Sequence, residues 1–96
     1  DSQKLNFRNS AFVKKDIKNY LFVGYKKSLF PELNFDSDPE RRFSAILEDS
    51  PRVSRWFKPT TNDIMIFYES GKEYEPDFIA ETDNQMLLVE IKAEKI

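Results

Sequence analysis

Asp77, Glu90 and Lys92 are the residues of this 96-residue chain whose types and spacing best suit chemistry. Asp83-Asn84 is a turn dipeptide between two runs of strand formers, and a two-residue hairpin at that point fixes the pairing of what flanks it. Asp77 then stands opposite Glu90, and Glu75 opposite Lys92. Because side chains alternate along a strand, Asp77, Ile79, Glu90, Lys92 and Glu75 share one face. Phe78, Ala80, Leu87, Val89 and Ile91 share the other, which is wholly apolar and expected to be core. Directly opposed carboxylates, about 5 Å apart at Cβ, repel unless positive charge lies between them. A divalent cation resolves the repulsion. Lys92, about 7 Å further along the strand from Glu90, reaches the same region, so a water or phosphate oxygen could be held between metal and ammonium. The same residues equally suit an exposed polar face on which Lys92 pairs with Glu75 and Asp77 is solvated.

Composition narrows the chemistry further. With no cysteine and no histidine, the chain has no disulfide, no thiolate or imidazole metal ligand and no Ser-His or Cys-His dyad. Any bound metal would have oxygen ligands, which favours Mg²⁺, Mn²⁺ or Ca²⁺ over zinc. The net charge is −2, unevenly distributed: seven Lys and Arg against two Asp give residues 1–30 a charge of +5, leaving −7 for the remainder. Lys14, Lys15, Lys18, Lys26 and Lys27 are therefore candidates for nucleic-acid phosphates, or else the solvated side of an amphipathic helix. No apolar run of about 18 residues and no charged-then-apolar leader is present. The expectation is a cytoplasmic chain without a membrane partner. The start at Asp1 and the end at Lys95-Ile96, just after an apolar run, read as the bounds of an excised fragment.

The elements that must position these residues follow from pattern. Val13, Ile17, Tyr20 and Leu21 recur at helical spacing between lysines, predicting a short amphipathic helix between Ser10 and Leu21. Phe22 to Phe35 reads as a connection with one extended piece. Asp36-Ser37-Asp38-Pro39-Glu40 is a helix start, with Ser37 and Glu40 at capping-box spacing and proline in the first turn. It predicts a helix over 37–49 that buries Phe43, Ile46 and Leu47 and turns Glu40 partly toward the same side. Four strands are expected at about 53–58, 64–68, 73–80 and 86–93, joined by turns at Pro59 to Asn62, Ser70-Gly71 and Asp83-Asn84. The fold class is α+β: N-terminal helices, then a four-stranded, mainly antiparallel meander. Trp56, Phe57 and Phe67 read as core rather than base-stacking platforms, and Arg41, Arg42, Arg52 and Arg55 as surface charge.

Pro76-Asp77 followed by Glu90-Ile91-Lys92, behind an acid-bearing helix with Glu40, resembles the PD-(D/E)xK nuclease motif. Phe35-Asp36-Ser37 with Glu40, Trp56-Phe57-Lys58-Pro59 and Tyr74-Glu75-Pro76-Asp77-Phe78 are similar to the C-terminal nuclease region of type III restriction enzyme endonuclease subunits and of related DEAD/DEAH-box helicases. The likeness covers about residues 20–93. It implies a truncated restriction-endonuclease-like core over residues 36–96, preceded by a basic helix and connection over residues 1–35. It further implies that Asp77, Glu90 and the Ile91 carbonyl bind Mg²⁺ (or Mn²⁺), that Lys92 orients or deprotonates the attacking water, and that Glu40 adds a metal contact or serves only as a cap. The implied substrate is double-stranded DNA. Helicase and methyltransferase subunits would act through a parent protein, with ATP used only in a motor domain that this chain lacks. Because such cores continue beyond the ExK strand, an apolar strand edge is left open, and self-association is expected. The alternative is a non-catalytic module that uses the same fold to bind nucleic acid or protein.

Overall fold

In the computed structural model, which describes residues 3–59, 66–67, 73–74 and 76–92, the elements are β1 (Gln3–Asn6), a 3-10 helix (Lys14–Asn19), β2 (Tyr20–Val23), α1 (Asp38–Asp49), β3 (Arg55–Phe57), β4 (Ile66–Phe67), β5 (Glu73–Tyr74), β6 (Phe78–Glu81) and β7 (Met86–Val89). The fold is α+β. β1 and β2 pair in parallel, β3, β6 and β7 form an antiparallel sheet in that order, and β4 and β5 form a separate two-stranded ladder. Among the described residues, no helix is long and apolar enough to cross a membrane.

The hairpin forms as its turn chemistry dictates. The Thr82 N–H donates to the Gln85 carbonyl at 2.9 Å and the Gln85 N–H to Thr82 Oγ1 at 3.2 Å, leaving Asp83-Asn84 as the two turn residues. From there the register runs Glu81↔Met86 to Phe78↔Val89, the pairing expected from a two-residue turn. Phe78 and Ala80 are buried, with Val89 and Ile91 packed partly against the same core. Leu87, expected beside them, is 38% exposed, whereas Ile79, on the opposite face, is only 5% exposed. The two faces are therefore less sharply divided than alternation alone implies.

Three expectations about the strands need correction. The strand predicted over 73–80 is two, β5 and β6, so five strands follow α1 rather than four. Pro76, buried between them, has no N–H to give a ladder. The meander is also interrupted: β3 pairs directly with β6, Trp56 opposite Ala80, rather than with β4. That pairing sets the Trp56 ring 5.7 Å from Phe78 and 5.1 Å from Tyr25, aromatic contacts that contribute about 0.5–1.5 kcal/mol each beyond area burial. Finally, β7 ends at Val89 rather than Ala93, because the Ile91 N–H donates to the Asp77 carboxylate instead of to a facing backbone carbonyl. The Ser70-Gly71 turn and Glu75 lie outside the described residues.

The N-terminal segment departs further. The expected helix between Ser10 and Leu21 is only the 3-10 helix, with Asp16 off helical geometry, and Tyr20 and Leu21 belong to β2. Tyr-Leu-Phe-Val is a strand-forming run, and β1 gives it a parallel partner. Ile17 is buried, while Val13 is exposed. The segment then joins the sheet: the Trp56 N–H donates to the Lys27 carbonyl at 3.0 Å and the Leu29 N–H to the Trp56 carbonyl at 2.9 Å. One core results, in which Phe7, Phe22 and Phe35 meet Leu47, Trp56 and Phe78.

α1 begins with Ser37 as its flanking residue and Pro39 in the first turn, as its start signals predict. Its capping box does not close. The Ser37 side chain makes no cap bond, and Glu40 accepts from the Asp36 N–H at 3.3 Å instead. The buried stripe is also rotated from the expected one: Leu47 is buried, Phe43 is half-buried and Ile46 is 59% exposed. In place of Ile46 the helix buries three polar residues, Arg41, Ser44 and Glu48. Each is fully provided for. Arg41 donates to Asp38 at 2.7 Å and to the Phe7 carbonyl at 2.8 Å, so it is a core residue and not surface charge. Ser44 meets the Tyr25 hydroxyl at 2.8 Å, and burial raises that phenol's pKa above its ordinary value. Glu48 accepts from the Lys26 N–H, the Lys27 N–H and the Trp56 indole at 2.6, 3.1 and 3.2 Å.

Candidate functional site

The antiparallel order β3-β6-β7 determines which residues meet at each end of the sheet. Lys58 follows the last residue of β3, Asp77 precedes the first of β6, and Glu90 follows the last of β7, so all three lie at one end. α1 turns back through Pro51 into β3 and packs on it, which brings its first turn, with Glu40, to that end as well. Electrostatics agree with the topology. The Glu40 carboxyl is pushed above its ordinary value, first by burial and further by the charges of Asp77 and Asp36, while the Asp36 N–H and Lys58 pull it back. Asp77 and Lys58 thus both act on the Glu40 carboxyl.

Asp77 is half-buried and ties the open end of the hairpin. Its N–H donates to the Val89 carbonyl at 2.8 Å, and its Oδ2 accepts the Ile91 N–H at 2.7 Å. Oδ1 has no hydrogen-bond partner among the described residues. Glu90 and Lys92 are both exposed at the same end. Among the described residues, no three acidic side chains are gathered closely enough to hold a metal ion. Sequence reasoning placed Asp77, Glu90, Ile91 and Glu40 around a metal. The structure brings Glu40 under the influence of Asp77, uses the Ile91 N–H to anchor Asp77, and leaves Glu90 and Lys92 reaching into solvent. As a donor set, the carboxylates supply the hard oxygens that Mg²⁺ takes. The mutual repulsion of Glu40 and Asp77 is what such a cation relieves.

Comparison with protein-family models, curated proteins and solved structures finds no match to this chain.

Of the candidate phosphate-binding lysines, Lys26 and Lys27 lie toward the other end of α1. The Lys26 and Lys27 backbone is fixed by Glu48, eight residues along α1 from Glu40, a displacement of about 12 Å along the helix axis. The Lys27 ammonium donates to the Ser50 carbonyl at 2.7 Å. Lys14 lies over the Phe12 ring at 3.9 Å, and Lys15 and Lys18 are exposed on the 3-10 helix. An apolar hollow of about 230 Å³, bordered by Leu29, Phe57, Ile79 and Met86, opens on the sheet face toward the Arg55–Glu81 end, away from the Lys58 end. Two residues escaped the sequence reading. Lys58 was visible only as part of Trp56-Phe57-Lys58-Pro59, where its place at the end of β3 depends on a pairing with β6. Glu48 stands seven residues after Arg41 and four after Ser44, a helical stripe that a search for apolar residues passes over.

Proposed function

We propose that this chain carries a metal-dependent nuclease site at the Asp77–Glu90 end of the sheet, which hydrolyses DNA phosphodiester bonds within a larger restriction or helicase-driven enzyme. The observation that supports it most is the topology: an acid-bearing helix followed by three antiparallel strands, with Glu40, Asp77, Glu90 and Lys92 at the same end. In this reading Asp77 offers Oδ1, which has no hydrogen-bond partner among the described residues, and Glu90 its exposed carboxylate to Mg²⁺ or Mn²⁺, with Glu40 at the same end of the sheet. The metal would lower the pKa of its bound water and offset charge on the phosphoryl oxygens. Asp77 is held for this task by the Ile91 N–H, which fixes its rotamer. Lys92 supplies an ammonium that orients the attacking water and balances the charge of the phosphate.

A second reading, a non-catalytic binding module, is favoured by two observations: Asp77 already has a structural role at the hairpin end, and among the described residues the acids are not gathered into a three-ligand group. Calorimetric titration of Mg²⁺ and Mn²⁺ into the wild-type chain, Asp77→Asn and Glu90→Ala, followed by a plasmid-nicking assay, separates the two. The nuclease reading expects saturable binding in the wild type, at least tenfold weaker in either variant, and nicking that requires the metal. Equal titration curves for all three proteins would remove the metal site and leave the binding module.

A further inference from the structure

We propose that Lys58 is a phosphate-contacting residue of this same site, binding the nucleic-acid backbone beside the carboxylates. The inference rests on the nuclease reading and adds a residue to it. β3 pairs with β6 as far as Phe57↔Ile79. The next step along that register sets Lys58 opposite Phe78, adjacent to Asp77, where facing Cα atoms in an antiparallel pair are about 4.5–5.5 Å apart. The position is fixed on both sides. Phe57 is held in the ladder, and buried Pro59 restricts the residue before it to extended backbone. Lys58 is half-buried, whereas Lys92 is exposed, so its stem packs while its head remains at the sheet end. Its charge is felt by Glu40 on α1, yet no described carboxylate lies within ion-pair distance of it. Its ammonium thus stands at the sheet end that Glu40, Asp77 and Glu90 share, where the carboxylates repel a phosphodiester and Lys58 adds its positive charge to that of Lys92. A rooted cation is better suited than the exposed Lys92 to hold that phosphate in register, because less side-chain freedom is lost on binding.

The test is fluorescence anisotropy of a labelled short DNA duplex with the whole chain in EDTA, so that affinity is read without turnover, repeated over a salt series. Lys58→Ala and Lys58→Gln are compared with Lys58→Arg and with Lys4→Ala, a lysine already paired with Glu32, each checked for folding by circular dichroism. The expected result is a several-fold weaker Kd for Ala and Gln and a slope of log Kd against log salt reduced by about 0.9. Arg and Lys4→Ala should both retain the wild-type affinity and slope. If Lys58→Ala does not fold, Lys58→Gln, which keeps much of the stem, decides. Wild-type affinity and slope in the Ala or Gln variant would make Lys58 a structural counter-ion of Glu40 and overturn the proposal while the nuclease reading stands. No DNA binding by the wild type would overturn both.

Discussion

Replacing Glu48 gives the most direct test of how this fold is held together. Its carboxylate is 8% exposed and is the acceptor for three donors from two distant segments: the backbone N–H groups of Lys26 and Lys27 and the Trp56 indole. Glu48→Ala leaves all three without a partner. The Trp56 donor is buried and the Lys26 and Lys27 donors part-buried, and at about 1 kcal/mol for each lost bond the variant is about 3 kcal/mol less stable. That is a large share of the about 5–15 kcal/mol available to a small domain, and for this chain length it corresponds to a Tm lowered by about 12–24 °C. Glu48→Gln should be milder. Its carbonyl oxygen can stay with Lys27 and Trp56, but its amide then faces the Lys26 N–H, donor against donor, for a loss of about 1 kcal/mol. Urea unfolding followed by fluorescence measures both effects, because Trp56 is the only tryptophan in the chain and is in contact with Glu48. A Glu48→Ala variant within about 0.5 kcal/mol of wild type, at unchanged m, would refute the view that this carboxylate joins the basic segment to the sheet.

Gly24 has φ +100°, and a Cβ there would lie 2.5 Å from Asn6 Nδ2; Gly24→Ala should therefore lose about 1–2 kcal/mol in thermal or urea unfolding, from the left-handed backbone alone. Because the Glu40 carboxyl is raised in the fold, its contribution to stability is fully present below the ordinary glutamate value of 4.5 and is lost as pH rises through the higher folded value. Glu40→Gln should accordingly melt above wild type at neutral pH, with the gap closing in acid, and a variant that melts below wild type at neutral pH would contradict that sign.

How much of this was legible in the sequence depended on whether each feature is decided locally. Asp83-Asn84 specifies its own turn, and once the turn is set the register from Glu81↔Met86 to Phe78↔Val89 follows by counting. Pro39 and Ser37 mark the start of α1 for the same reason. What could not be read depends on partners far away in the chain. Nothing near Tyr20 announces that Gln3 to Asn6 will lie parallel to it, so a helical spacing of apolar residues outweighed a run of strand formers. Arg41 and Glu48 look like solvent-facing charges until Phe7, Lys26 and Trp56 are placed against them. Ile46 is outside because it stands two residues from both Ser44 and Glu48, on the face of the helix opposite those buried polar groups.

The same distinction governs the site. Alternation and register place Asp77 and Glu90 at one hairpin end, but they are silent about what a carboxylate does there when no cation is counted. In the structure Oδ2 of Asp77 closes the hairpin against the Ile91 N–H, while Oδ1 has no hydrogen-bond partner among the described residues. Removing the side chain would therefore disturb the hairpin as well as any ligand set, and lost activity in an alanine variant would not say which had failed. Asparagine keeps a carbonyl acceptor for Ile91 while removing the negative charge that a divalent cation needs. A stable Asp77→Asn protein that no longer responds to Mg²⁺ would assign the residue to chemistry, whereas an Asp77→Asn protein indistinguishable from wild type in every respect would assign it to the hairpin alone.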